Sequence, residues 1–301
     1  MRLIPARFTI GLTVSLLMLT APAFAHSYGE FLLDWVSWGL GLSLVVYATG
    51  LLRAQQRPPA WRPALFVVGW LLLAISLVGP IEHWAHTSLA GHMSQHMILL
   101  AVAPPLLLLA RPMPQFMLAL PTAARRSIGP TLGRIYSGTA ATPVIAFVVH
   151  GLVIWLWHLP LPYQLALAHR LLHDLEHLMF FATGLWFWWS LIAPGRLGQG
   201  GFGLAAVLAA LTLMHTGMLG ALMTFAPQLL YPDHPAGFGG FDQLSDQQLA
   251  GLLMWVPGGL IYTAAALALA GLWLQRSEHV NLSDIELDQH ERESVRESTM
   301  P

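Results

Sequence analysis

The sequence predicts an all-α, polytopic membrane bundle of seven transmembrane helices behind a signal peptide, and three observations carry that reading. Hydrophobic residues make up 55% of the 301-residue chain and charged residues only 10%, with a mean hydropathy of +0.60, a composition foreign to water-soluble domains. Apolar runs long enough to cross a bilayer recur along the chain between short polar connections. The basic residues, all of them arginine and none lysine, fall mainly in alternate connections.

In chain order, Arg2 and Arg7 precede an apolar stretch from Phe8 to Ala21, and Ala23-Phe24-Ala25 offers a small-x-small cleavage site. Residues 1–25 therefore read as a signal peptide, and cleavage makes His26 the mature N-terminus. An uncleaved extra helix is the alternative, for which the apolar stretch is short. Residues 26–274 form the transmembrane domain, with spans expected at 31–52, 63–79, 88–110, 140–159, 171–192, 203–226 and 249–274. Pro104-Pro105 and Pro257-Gly258-Gly259 predict kinks inside two of them. Residues 275–301, rich in Glu, Asp and Ser, have the composition of a disordered acidic tail. No internal repeat indicates inverted halves.

Charge sets the orientation. Arg53, Arg57 and Arg62, then Arg111, Arg125, Arg126 and Arg134, then Arg196 fall in connections on one side, whereas the opposite connections hold only Arg170. The positive-inside rule makes the arginine side cytoplasmic, with the mature N-terminus periplasmic and the C-terminus cytoplasmic in a bacterial inner membrane.

On this topology His26, His83, His86, His92, His96, His158, His169, His173, His177 and His234 gather at the outer face. His150 and His215 lie deeper, and His279 and His290 fall in the tail. His92 and His96 are one helical turn apart, about 6 Å along the axis, and His169, His173 and His177 repeat that spacing. Aligned ionisable side chains in a membrane helix mark a metal or proton site, and imidazole suits copper, zinc, iron or nickel. Cysteine is absent, which excludes disulfides, thiolate metal sites and iron–sulfur clusters.

Met93, Met97, Met179, Met214, Met218 and Met254 stand near the histidines. Thioether with imidazole favours copper, above all Cu(I), although each methionine alone also reads as packing. Asp174 and Glu176 read either as partners orienting the ligating histidines or as acids at a helix N-terminus. Ser245-Asp246-Gln247-Gln248 reads as a capping box that makes Asp246 structural. His169 and His234 read as amphipathic rings in the headgroup region, and His150 and His215 as interhelical hydrogen-bonding groups or haem ligands.

The stretches HMSQHM (92–97), APPLLLLARP (103–112), WHLPLPY (157–163), HDLEH (173–177) and DQQLAGLLMWVPG (246–258) resemble the multi-spanning cytochrome c oxidase assembly factor family, CtaG of the caa-type oxidases. The resemblance runs from the second span to the seventh. It implies a membrane protein that is needed to build a haem-copper oxidase and helps to supply copper to its catalytic subunit, and the first reading is a copper-handling protein without turnover of its own. A periplasmic copper donor and the lipid bilayer are the other partners expected, and nucleic acid is not among them. Carried onto this chain, it implies metal-site roles for His92, His96, His158, His173, His177 and Met254, with His215 and Met218 joined to them; Tyr163, Asp246 and Trp255 also match its motifs. His26, particular to this chain, adds a free amino terminus to an imidazole. Two other classes remain open on the residues alone. One is a histidine-rich membrane metalloenzyme, against which the outward placement counts; the other is a haem-binding electron-transfer protein.

Overall fold

The computed structural model describes residues 35–140, 142–193, 201–234 and 240–298, without the side chains of 136, 139, 140 and 279–298. The expected signal peptide, His26 and the side chains of His279 and His290 lie outside the described residues. The helices are α1 (Trp35–Arg53), α2 (Trp61–Leu77), α3 (Pro80–Ala85), α4 (Leu89–Met97), a π-helical turn (Ile98–Val102), α5 (Ala103–Ala110), α6 (Met113–Ala119), α7 (Thr122–Ala140), α8 (Pro143–Trp157), α9 (Pro160–Ala168), α10 (Arg170–Ile192), α11 (Gly201–Thr224) and α12 (Gln243–Ser298).

Among the described residues, five stretches are long and apolar enough to cross a membrane: Trp35–Arg53, Trp61–Ala85, Leu89–Ala110, Gly201–Thr224 and Gln243–Glu278. A sixth is reached if α8 and α9, bent by 72°, count as one span. The expected seven is not reached, and α10 shows why. Its 23 residues give a length of about 34 Å, enough to span, but His173, Asp174, Glu176 and His177 fill its first two turns and lower its hydropathy. The 15 residues of α8 reach only about 22 Å. The chain turns where Leu159 adopts an extended ψ of 142° ahead of Pro160, since proline disfavours helical backbone in the residue before it.

The kink expected at Pro104-Pro105 takes the form of the π turn before α5. Pro104 has no N–H to give Leu100 O, and the Trp188 indole fills the vacancy by donating to that carbonyl at 2.9 Å. Pro257, by contrast, is carried inside a continuous α12. That helix packs closely on α11, because a Cβ on Gly251 would lie 2.5 Å from Gly220 O; small residues let backbones approach in a membrane. Helical backbone runs on to Ser298, through the tail whose composition predicts disorder.

One core, including Met93, Ile154, Tyr163, Phe180, Met223 and Met254, surrounds the histidine end of the bundle. A second, with Phe187, Trp188, Phe202, Leu208 and Tyr262, fills the other end, where Trp188 stacks on Tyr262 at 5.5 Å. Arginines mark that second end: Arg53 donates to Ala119 O at 2.6 Å, and Arg276 lies 4.3 Å over the Phe202 ring. Along α11, Val207, Leu211, Met214, Met218 and Leu222 are exposed at the spacing of one helical face, which is a face for lipid.

Candidate metal centre

Two helix starts build the site. Ser88 caps α4 by accepting from Gly91 N at 3.2 Å and donates to Asp246 Oδ1 at 2.7 Å. Leu89 N donates to Asp246 Oδ2 at 2.6 Å. Asp246, expected to start its own helix, therefore pins the first turn of α12 to the first turn of α4. The cap of α12 is Asp242, whose Oδ1 accepts from Ser245 N at 2.8 Å. So fixed, α4 turns His92 and His96 inward, 2% and 1% exposed.

On α10 the spacing i, i+3, i+4 puts His173, Glu176 and His177 on one face. Asp174, one position round, accepts from Trp35 Nε1 at 3.2 Å instead.

The two faces meet. One ligand atom from each of His92, His173, Glu176 and His177 lies within 4.8 Å of the others. The His92 ring is 5.4 Å from that of His173 and 6.2 Å from that of His177. Donors bound to one tetrahedral ion at about 2.0–2.1 Å stand about 3.4 Å apart, so a contraction of at most about 1.4 Å would close the set. The chemistry of the cluster fits an ion: Nε2 of His92, Nε2 of His177 and both Glu176 oxygens have no hydrogen-bond partner. Glu176 is fully buried, and a buried carboxylate without donors demands a cation or a proton.

Further imidazoles flank this group. The His96 ring is 4.3 Å from His92 and 5.6 Å from His177, and its Nε2 is 3.6 Å from Glu176 Oε1. His158 Nδ1 bonds to Ile154 O at 2.7 Å. A carbonyl only accepts, so Nδ1 carries the proton and Nε2 keeps its lone pair.

A loop closes the rim. Tyr231 donates to His158 O at 2.6 Å, Tyr163 lies 5.4 Å from His92, and His234 lies 6.0 Å from His92. Gln247 Oε1 accepts from Leu230 N at 2.7 Å, and Gln243 Nε2 donates to His234 O at 2.6 Å, so the start of α12 holds the loop as well as α4. Burial and the Glu176 carboxylate push the Tyr231 phenol up, which keeps it a donor. On the opposite side Glu82 accepts from Gln95 Nε2 and lies 3.2 Å from His86 Nε2; its hydrogen bond holds His86 above the ordinary histidine value. A cavity of about 590 Å³ with Trp35, Glu82, His173, Asp174 and His177 in its wall reaches the cluster from between α1, α2 and α10.

Of the residues singled out from sequence, the structure gathers His92, His96, His158, His173 and His177. Met254, 3% exposed, packs in the surrounding core with Met93. His215 stands elsewhere, with its ring 5.8 Å from Phe147. His150 stacks on Phe187 at 5.0 Å and bonds through Nδ1 to Thr183 Oγ1 at 3.1 Å. Met218 is 53% exposed on the lipid face of α11. The structure adds Glu176 to the cluster as a donor and His234 at its rim. The His-x-x-Glu-His spacing of 173–177 was the available signal for Glu176; His234 sits in a loop, where no periodicity points.

The fold and cluster define a polytopic helical membrane protein with a buried imidazole–carboxylate centre at one end of its bundle. Residues 45–276 match the family described as cytochrome c oxidase caa3 assembly factor, and the chain belongs to that family. Neither the curated proteins nor the solved structures compared with it give a match.

Proposed function

We propose that this protein carries copper in the cluster of His92, His173, Glu176 and His177 and passes it to the catalytic subunit of a haem-copper oxidase during assembly. The observation that carries the reading is four buried or half-buried donors within 4.8 Å of one another. Three imidazoles and a carboxylate suit copper but also zinc or iron; the choice of copper rests on the oxidase client that the family implies. Copper here is cargo, so the protein binds and releases it and performs no turnover.

Half-buried His173 and the cavity beside it supply an exit. The distribution of arginine supports an outward-facing cluster, loaded by a periplasmic donor. Alkaline phosphatase fused after Ser88 should be active and after Arg126 silent; the reverse result would put the histidines in the cytosol.

The functional test is a clean deletion strain complemented with wild type, His92→Ala or His177→Ala under copper limitation. Both variants should reach the membrane at normal abundance yet leave the oxidase short of copper, and excess copper should partly restore it by mass action. Full oxidase copper in the deletion strain would overturn the proposal.

A further inference from the structure

The cluster holds more donors than one ion needs. Once His92, His173 and His177 are assigned to the first position, His96 remains, 1% exposed and with neither ring nitrogen hydrogen-bonded. His158 remains too, 4% exposed, with Nδ1 fixed on Ile154 O and Nε2 unpartnered. Glu176 has a second unpartnered oxygen. These groups do not satisfy one another, since the 3.6 Å from His96 to Glu176 is too long for a hydrogen bond. Leaving so many buried polar atoms unpaired is expensive.

We propose a second copper position, held by His96 and His158 and bridged to the first by Glu176. It rests on the reading of the first position as a metal site. Three features support it. The two rings are 5.7 Å apart, within the roughly 5–6.5 Å that two imidazoles on one ion span at ordinary metal–nitrogen distances. The tautomer of His158 leaves Nε2 ready to ligate, as a backbone acceptor behind a ligating histidine does. Glu176 lies between the sets, sharing the four-donor group with His92 while its Oε1 faces His96. A carboxylate so placed holds paired ions about 3.5–4 Å apart. One carboxylate between two ions also explains why a single acid is buried among so many imidazoles.

The test uses the full chain in detergent, stripped by chelation and reloaded anaerobically with chelator-buffered Cu(I), with copper counted per chain by mass spectrometry. Wild type should hold two coppers. His158→Ala and His96→Gln should each hold one, and His173→Ala should also hold one. A wild type that binds a single copper, retained in His158→Ala, would overturn the second position and leave the first intact. A wild type that binds none would overturn both.

To remain independent of variant folding, a second measurement uses wild type alone. After oxidation to Cu(II), paramagnetic resonance should show an exchange-coupled pair with a half-field signal. Two equivalents giving only isolated-copper spectra would overturn the bridge.

Discussion

At the seam between α4 and α12, the buried Asp246 carboxylate accepts from Ser88 Oγ at 2.7 Å and Leu89 N at 2.6 Å. At the face between α4 and α10, Glu176 is equally buried, and neither of its oxygens has a hydrogen-bond partner. The same group, at the same end of one bundle, is thus saturated in one place and left open in the other. The first is a clamp that positions two helices. The second has the chemistry of a ligand. Burial alone does not separate these roles, whereas the presence or absence of donors does.

The comparison predicts opposite phenotypes. Asp246→Ala strands two buried donors and should have the largest effect on stability, about 4 kcal/mol at roughly 1–3 kcal/mol for each. Thermal unfolding in detergent should show that loss, while copper per folded chain stays at the wild-type value. Glu176→Gln should do the reverse. Copper affinity should fall by at least the 10- to 100-fold that loss of a ligand-orienting partner costs, with apo stability little changed, because a glutamine amide replaces a buried, unpartnered carboxyl of similar size. If both variants lost stability and copper together, the distinction would collapse.

Smaller effects sharpen it at the rim and on the lipid face. Glu82 raises the His86 value, so the pair contributes stability below a pH of about 6.5 that fades as pH rises through the folded-state value. His86 is 67% exposed at its side chain, which limits the contribution to less than about 1 kcal/mol. Unfolding midpoints between pH 6 and 8 should slope downward in wild type and flatten in His86→Gln. Met218→Leu should be the mildest change, within about 0.5 kcal/mol in stability and without effect on bound copper. Copper loss in that variant would return Met218 to the ligand set.

The histidine pairs were legible in the sequence because helical periodicity aligns His92 with His96 and His173 with His177. Their meeting was not, since it depends on how α4 packs against α10, and no local pattern encodes that. Asp174 and Glu176 looked alike in the sequence. Their separation follows from two residues of helical rotation, about 200°, which sends Asp174 to Trp35 and Glu176 into the cluster. The same polar residues that revealed the site also keep α10, though long enough, from meeting the hydropathy of a span, so five or six candidate spans stand among the described residues against the seven expected. Met218 misled because adjacency to His215 in sequence says nothing about which face of α11 looks into lipid. His234 reads as an isolated interfacial ring in the sequence, because its place beside His92 comes from the loop that Gln243 and Gln247 hold.

The most direct test of the central claim is X-ray absorption at the copper edge of the copper-loaded full chain. Coordination by His92, His173, His177 and Glu176 predicts a nitrogen and oxygen shell near about 2.0 Å with imidazole outer-shell scattering and no sulfur shell near about 2.3 Å. It also predicts that the His92→Ala, His177→Ala double variant loses this ion, so that copper per chain falls, leaving at most the copper on His96 and His158. A sulfur-dominated shell, or unchanged copper per chain in the double variant, would contradict the account.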